Sequence, residues 1–114
     1  KIIIKLKNFG AGFTLDLSFG KNGVFTYPQD GGGANHIAGA FAFECNKILI
    51  TAKLGENKIG VLRLKLDGTL DTDFGTNGVI EAESSAGVPE YIRCIDNKDD
   101  AIVISNNNMV GVIK

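Results

Sequence analysis

Histidine and methionine each occur once in this 114-residue chain, proline and cysteine twice, and tryptophan not at all. A single histidine rules out a histidine cluster of the kind that holds a catalytic metal. The two cysteines, Cys45 and Cys94, form no C-x-x-C pair, which argues against a zinc knot or a redox dithiol. Charge of one sign is also missing. Twelve basic residues face thirteen acidic ones, scattered singly, for a net charge of −1. Without a basic stripe to neutralise phosphates, nucleic acid is not an expected partner. The apolar runs are only a few residues long, too short to cross a bilayer. Ile2-Ile3-Ile4 is interrupted at once by Lys5 and Lys7, so the first residues do not read as a signal peptide; an exported form would carry its signal outside these residues.

Glycine, by contrast, is abundant: 15 residues, about twice the usual share. Glycine at this density between short apolar runs, many of them β-branched, marks tight turns in an all-β chain. No stretch keeps an apolar period of 3.6 residues over three turns, so helices are not expected.

The chain repeats itself. Leu15-Asp16-Leu17-Ser18-Phe19-Gly20-Lys21-Asn22-Gly23-Val24-Phe25 matches Leu70-Asp71-Thr72-Asp73-Phe74-Gly75-Thr76-Asn77-Gly78-Val79-Ile80 without gaps, with seven of eleven positions identical. The step from Leu15 to Leu70 is 55 residues. Outward from the motif, Ile2–Lys7 parallels Gly60–Lys65, Lys47–Thr51 parallels the run from Asp100 to Ser105, and Val110–Lys114 parallels Ile59–Arg63. Internal repeats of this length signal an array of equivalent units. Strands are expected near 23–27, 36–44, 48–53 and 59–65 in the first unit. The second unit places them near 78–83, 90–95, 101–105 and 109–114. Residues 2–7 form a surplus copy of the last strand type. Asn-Gly and Asp-Gly pairs between them supply the positive φ that hairpin turns need. Four antiparallel strands per unit describe a β-propeller blade, here about residues 8–65 and 66–114.

The run Leu66-Asp67-Gly68-Thr69-Leu70-Asp71-Thr72-Asp73-Phe74-Gly75-Thr76-Asn77-Gly78, with a strand, a loop and a Lys47-Ile48-Leu49-Ile50-like strand after it, resembles the delta-60 repeat β-propellers. The first copy departs from that pattern. Asn8-Phe9-Gly10 and Ala11-Gly12-Phe13 replace its Asp-Gly turn, and Cys45-Asn46 replaces the Asp-Gly ahead of residues 47–50. The resemblance implies a fold of two four-stranded antiparallel blades belonging to a larger, oligomeric propeller. It implies no defined activity.

The motif reads as structural. Asp16 and Asp71 suit Asx-type turns, and Phe19 and Phe74 suit burial between blades. Asp67, Asp71 and Asp73 crowd together, but their spacing is not that of a calcium loop and no bidentate Glu follows; no metal or cofactor is expected. Equivalent positions in adjacent blades lie too far apart for a disulfide, so Cys45 and Cys94 are expected to be buried free thiols. His36 follows the glycine run 31–33 and could serve as a general base, yet no activated Ser or Cys accompanies it, so it reads as a solvated strand-edge residue. No residue is assigned to catalysis. The ligand-binding residues proposed from the sequence are Tyr27, Asn35, His36, Glu90 and Tyr91, which flank equivalent loops, tyrosine offering both a ring face and a hydroxyl.

The expected function is a non-catalytic binding or protein-interaction scaffold with a glycan or protein ligand, soluble, and compatible with secretion or the cell surface. The alternatives are a purely structural repeat of a larger surface protein, or a hydrolase or lyase with its site at the propeller channel. Propellers close with about four to eight blades. Two blades therefore call for further copies, three copies giving six blades, or for further repeats of a longer chain.

Overall fold

Side chains alternate between the two faces of a strand, and along residues 48–64 both sets are apolar, which commits one sheet to burial on both sides. A computed structural model describes residues 3–4, 6–8, 13–27, 37–44, 46–96 and 101–113, with strands and turns and no helix among them. The strands are β1 (Ile3–Ile4), β2 (Leu6–Asn8), β3 (Phe13–Leu15), β4 (Val24–Phe25), β5 (Ile37–Glu44), β6 (Lys47–Gly55), β7 (Lys58–Leu64), β8 (Val79–Glu83), β9 (Tyr91–Asp96), β10 (Ala101–Asn106) and β11 (Met109–Ile113). They build a four-stranded antiparallel sheet, β5-β6-β7-β8, and a three-stranded one, β11-β10-β9. Two short ladders, β1-β4 and β2-β3, precede them.

The strand positions follow the sequence pattern; their grouping differs. Strand 78–83 was expected to join residues 90–114, yet β8 pairs with β7 in the four-stranded sheet, with Val61 opposite Ile80 and Leu62 opposite Val79. The cause is the motif itself, which folds as a stack of turns that returns the chain to where it left. Asp71 N donates to Arg63 O at 2.9 Å, and Arg63 N donates to Gly78 O at 3.0 Å. The second sheet consequently has three strands, not four. Residues 2–7 also divide, β1 pairing with β4 and β2 with β3. Ile3 opposite Phe25 and Ile4 opposite Val24 repeat the β7–β8 register one motif earlier.

Two cores lie on opposite faces of the central sheet. Phe19, Phe25, Ile50, Ala52, Leu62, Leu64 and Val79 form the first. Leu49, Ile59, Val61, Phe74, Ile92, Ile102 and Ile104 form the second. Phe19 and Phe74 thus hold equivalent places, 1% and 5% exposed, each carried by the same turn onto the next sheet. The two turns share their hydrogen bonds. Phe19 N to Asp16 O and Phe74 N to Asp71 O are both 3.0 Å, and Gly23 N to Phe19 O and Gly78 N to Phe74 O are both 2.8 Å. Gly20 and Gly75 lie at φ 57° and 54°, and a Cβ at either would strike the carbonyl oxygen of Val24 or Val79, so only glycine fits.

Phe74 is covered by the second core and carries the guanidinium of Arg63 4.6 Å from its ring centroid, an additional cation–π contact. Phe74→Ala is expected to destabilise the chain by about 3–5 kcal/mol, as buried phenylalanine truncations do. Chemical denaturation of the two proteins measures it, and a variant as stable as the parent would contradict the packing.

Candidate functional site

The repeated motif gathers the polar groups most withdrawn from water. Asp71 is 2% exposed and Asp16 4%. Asp71 Oδ2 accepts from Arg63 Nε at 2.9 Å and lies 3.0 Å from Lys47 Nζ. Burial alone would push the Asp71 carboxyl up. The hydrogen bond from Lys47 and the positive charges of Arg63 and Lys47 outweigh it and hold the group below its ordinary 3.8. In the first copy, Asp16 Oδ1 accepts from Ser18 N at 3.1 Å and Ser18 Oγ at 2.6 Å. Asp67 Oδ1 likewise accepts from Thr69 Oγ1 at 2.7 Å and Thr69 N at 3.0 Å. These bonds, with the charge of Lys65, hold the Asp67 carboxyl low as well. The carboxylates of Asp67 and Asp71 are therefore each turned toward their own turn or cation.

A cleft of about 810 Å³ opens beside this turn, lined by Tyr27, Thr69, Leu70, Thr72, Thr76, Asn77, Val79 and Glu81. Tyr27 follows β4 and packs half-buried against the first core. Burial, with the nearby charge of Glu81, pushes its hydroxyl pKa up, so it stays protonated at neutral pH. The lining offers hydroxyls, an amide and one carboxylate beside an aromatic ring. That is a hydrogen-bonding surface for a neutral polar ligand. The three threonines and Asn77 went unrecognised in the sequence because they occupy the variable positions of a motif read only as a turn. Their signal is the recurrence of Thr at 69, 72 and 76.

Of the residues proposed from the sequence, Tyr27 lines this cleft and Glu90 and Tyr91 do not. Glu90 and Tyr91 are exposed at the start of β9, where Glu90 N donates to Ser105 O at 2.9 Å. Asn35 and His36 lie outside the described residues. The loop ahead of Glu90 is held from behind: Asn106 Nδ2 donates to Ala86 O at 3.0 Å and Val88 O at 3.1 Å. Thr51, fully buried, ties the two sheets together, its Oγ1 accepting from Ala40 N and donating to Pro89 O.

The thiol expectation is corrected. Cys94 is disulfide-bonded, and the one other cysteine of the chain is Cys45, itself outside the described residues. The separation argument failed because the first strands of successive sheets converge. β5 runs beside β9, and Gly39 in β5 lies so close to Pro89 O that a Cβ there would collide with it. Among the described residues no helix is long and apolar enough to cross a membrane. Compared with protein-family models, curated proteins and solved structures, the chain has no match.

Two outcomes follow from this chemistry. An aspartate whose folded pKa is depressed stabilises above its unfolded value, and that contribution disappears as pH falls through the folded one. The parent should therefore lose stability below about pH 4, whereas Asp71→Asn should be weaker by about 3 kcal/mol at neutral pH and flatter in acid, as melts from pH 2 to 7 would record. Reducing the disulfide should cost roughly 3–4 kcal/mol through the freed loop; a denaturation midpoint unmoved by reductant would contradict the bond.

Proposed function

We propose that this chain is a β-propeller repeat module of the delta-60 kind, its two sheets serving as successive blades, and that it acts as a non-catalytic binding scaffold. One observation carries the reading. The same motif delivers the same phenylalanine to equivalent cores on successive sheets, as a rotational array requires. The buried aspartates support a structural role for the motif, because Asp71 is committed to Arg63 and Lys47. A disulfide at Cys94 supports an oxidising setting, such as secretion or the cell surface.

The cleft beside Tyr27 supports a neutral glycan as ligand, with the ring to stack on a sugar face and the threonine hydroxyls and Asn77 to bond its hydroxyls. A glycan array probed with the intact chain tests this. Tyr27→Ala should weaken any bound glycan at least tenfold, about 1.4 kcal/mol, and Tyr27→Phe should retain the stacking part. Glycan binding indifferent to Tyr27→Ala would remove the cleft from the account. An array without any binder would leave the purely structural repeat as the better reading.

A further inference from the structure

The second sheet stops at β11, and its outer edge carries no strand among the described residues. Its sequence is that of β7: Val110-Gly111-Val112-Ile113 stands where Ile59-Gly60-Val61-Leu62 stands. In β7 those residues hold β8 along five residue pairs, and Ile59 and Val61 are 4% and 0% exposed. In β11, Val110 and Val112 are 77% and 57% exposed. The outward hydrogen-bonding positions can be assigned. Arg63 N donates to Gly78 O, so alternate residues Val61 and Ile59 also address β8. Val112 and Val110 occupy the same places in β11. The hairpin agrees, since Asn106 and Met109 flank its two-residue turn and alternation from there points the Val110 and Val112 amides outward.

The other end of the chain offers the complement. β4 follows the first motif as β8 follows the second, but its partner β1 covers it for only two residue pairs. On the face shared with Ile50, Phe41 and Phe43 of β5 are 54% and 68% exposed. In the second sheet the corresponding first strand, β9, is covered: Ile92 is 3% exposed beneath Leu49, Ala40 and Ala42. What would cover Phe41 and Phe43 is thus a sheet face equivalent to that of residues 40, 42 and 49. In the second sheet that face is the open one, carrying Tyr91, Val103, Val110 and Val112.

From these two unmet surfaces we infer that a second copy of this chain closes the gap. The β9–β11 sheet of one copy docks on Phe41 and Phe43 of the next, and β11 takes that copy's β4 as its fourth strand in place of β1. Val112 then stands opposite Phe25, and Ile113 opposite Val24, in the register of Val61 with Ile80 and Leu62 with Val79. Exchange replaces a two-pair ladder with the edge of a five-residue strand and buries four exposed apolar side chains. The inference rests on the propeller reading and names the joint by which the ring closes.

The test combines mass in solution with amide hydrogen exchange on the full chain at micromolar concentration. The wild type should elute as a multiple of the chain mass, threefold for a six-bladed ring, with the Val110 and Val112 amides protected. Val112→Pro removes an outward N–H and leaves the β10 pairing in place. It should be monomeric, with the wild-type circular dichroism spectrum and a Val110 amide that exchanges freely. Val110→Thr/Val112→Thr, which keeps every amide, should shift assembly to higher concentration by at least tenfold. Assembly unchanged in Val112→Pro would overturn the joint while leaving the blades standing. A wild-type monomer with both amides unprotected would overturn it too, assigning the edge to a further repeat. Loss of the wild-type spectrum in Val112→Pro moves the decision to the threonine pair, whose unaltered assembly would also overturn it. The propeller reading fails separately, when Phe19 and Phe74 share one core.

Discussion

A phenylalanine placed by a tight turn between the third and fourth strands of a sheet joins each layer of this molecule to the next. The turn is stiff because nearly every part of it is specified. An aspartate carboxylate collects turn donors, glycine occupies a site where a Cβ would meet a carbonyl oxygen, and Asn-Gly supplies two further positive φ angles. The ring is then delivered to a fixed place. Phe19 meets Ile50, Leu62 and Leu64, while Phe74 meets Ile92, Ile102 and Ile104. Because the central sheet alternates apolar residues on both faces, it accepts one such ring and supplies the next. The second copy adds a charge layer, Arg63 lying over Phe74 while also bonding Asp71, so the turn, the ring and the sheet are coupled.

Much of this was legible in the residues. The motif pair at Leu15 and Leu70 located the equivalent turns, and the apolar runs located strands to within a residue or two. Grouping was the weaker inference. A repeat in sequence has no marked origin, so a unit cut just before residue 78 and one cut just after residue 83 explain the same pattern. Only the hydrogen bonds between Arg63 and Gly78 or Asp71 decide that β8 turns back to β7. Cys94 escaped for a related reason. Spacing along the chain says nothing of how first strands converge, and that convergence appears only in Gly39 against Pro89 and in Thr51 reaching across to the same carbonyl.

The candidate site shows the same division. Tyr27 was marked by its position at a loop, but its companions Thr69, Thr72, Thr76 and Asn77 come from the second motif, 42 to 50 residues further on. Their variable positions are the ones a packing constraint leaves alone, which frees them to face a cleft. Glu90 and Tyr91 instead belong to the open face of the second sheet. Residues that looked alike in two repeats thus acquire different surroundings, since one copy has a neighbouring layer and the other does not.

The central claim is that the two phenylalanines occupy equivalent but separate cores. Proton–proton distances from nuclear magnetic resonance test it most directly. The account predicts contacts from the Phe19 ring to Leu62 and Leu64, and from the Phe74 ring to Ile92 and Ile102, with none between the two rings. Contacts joining Phe19 and Phe74 in a single core would contradict it.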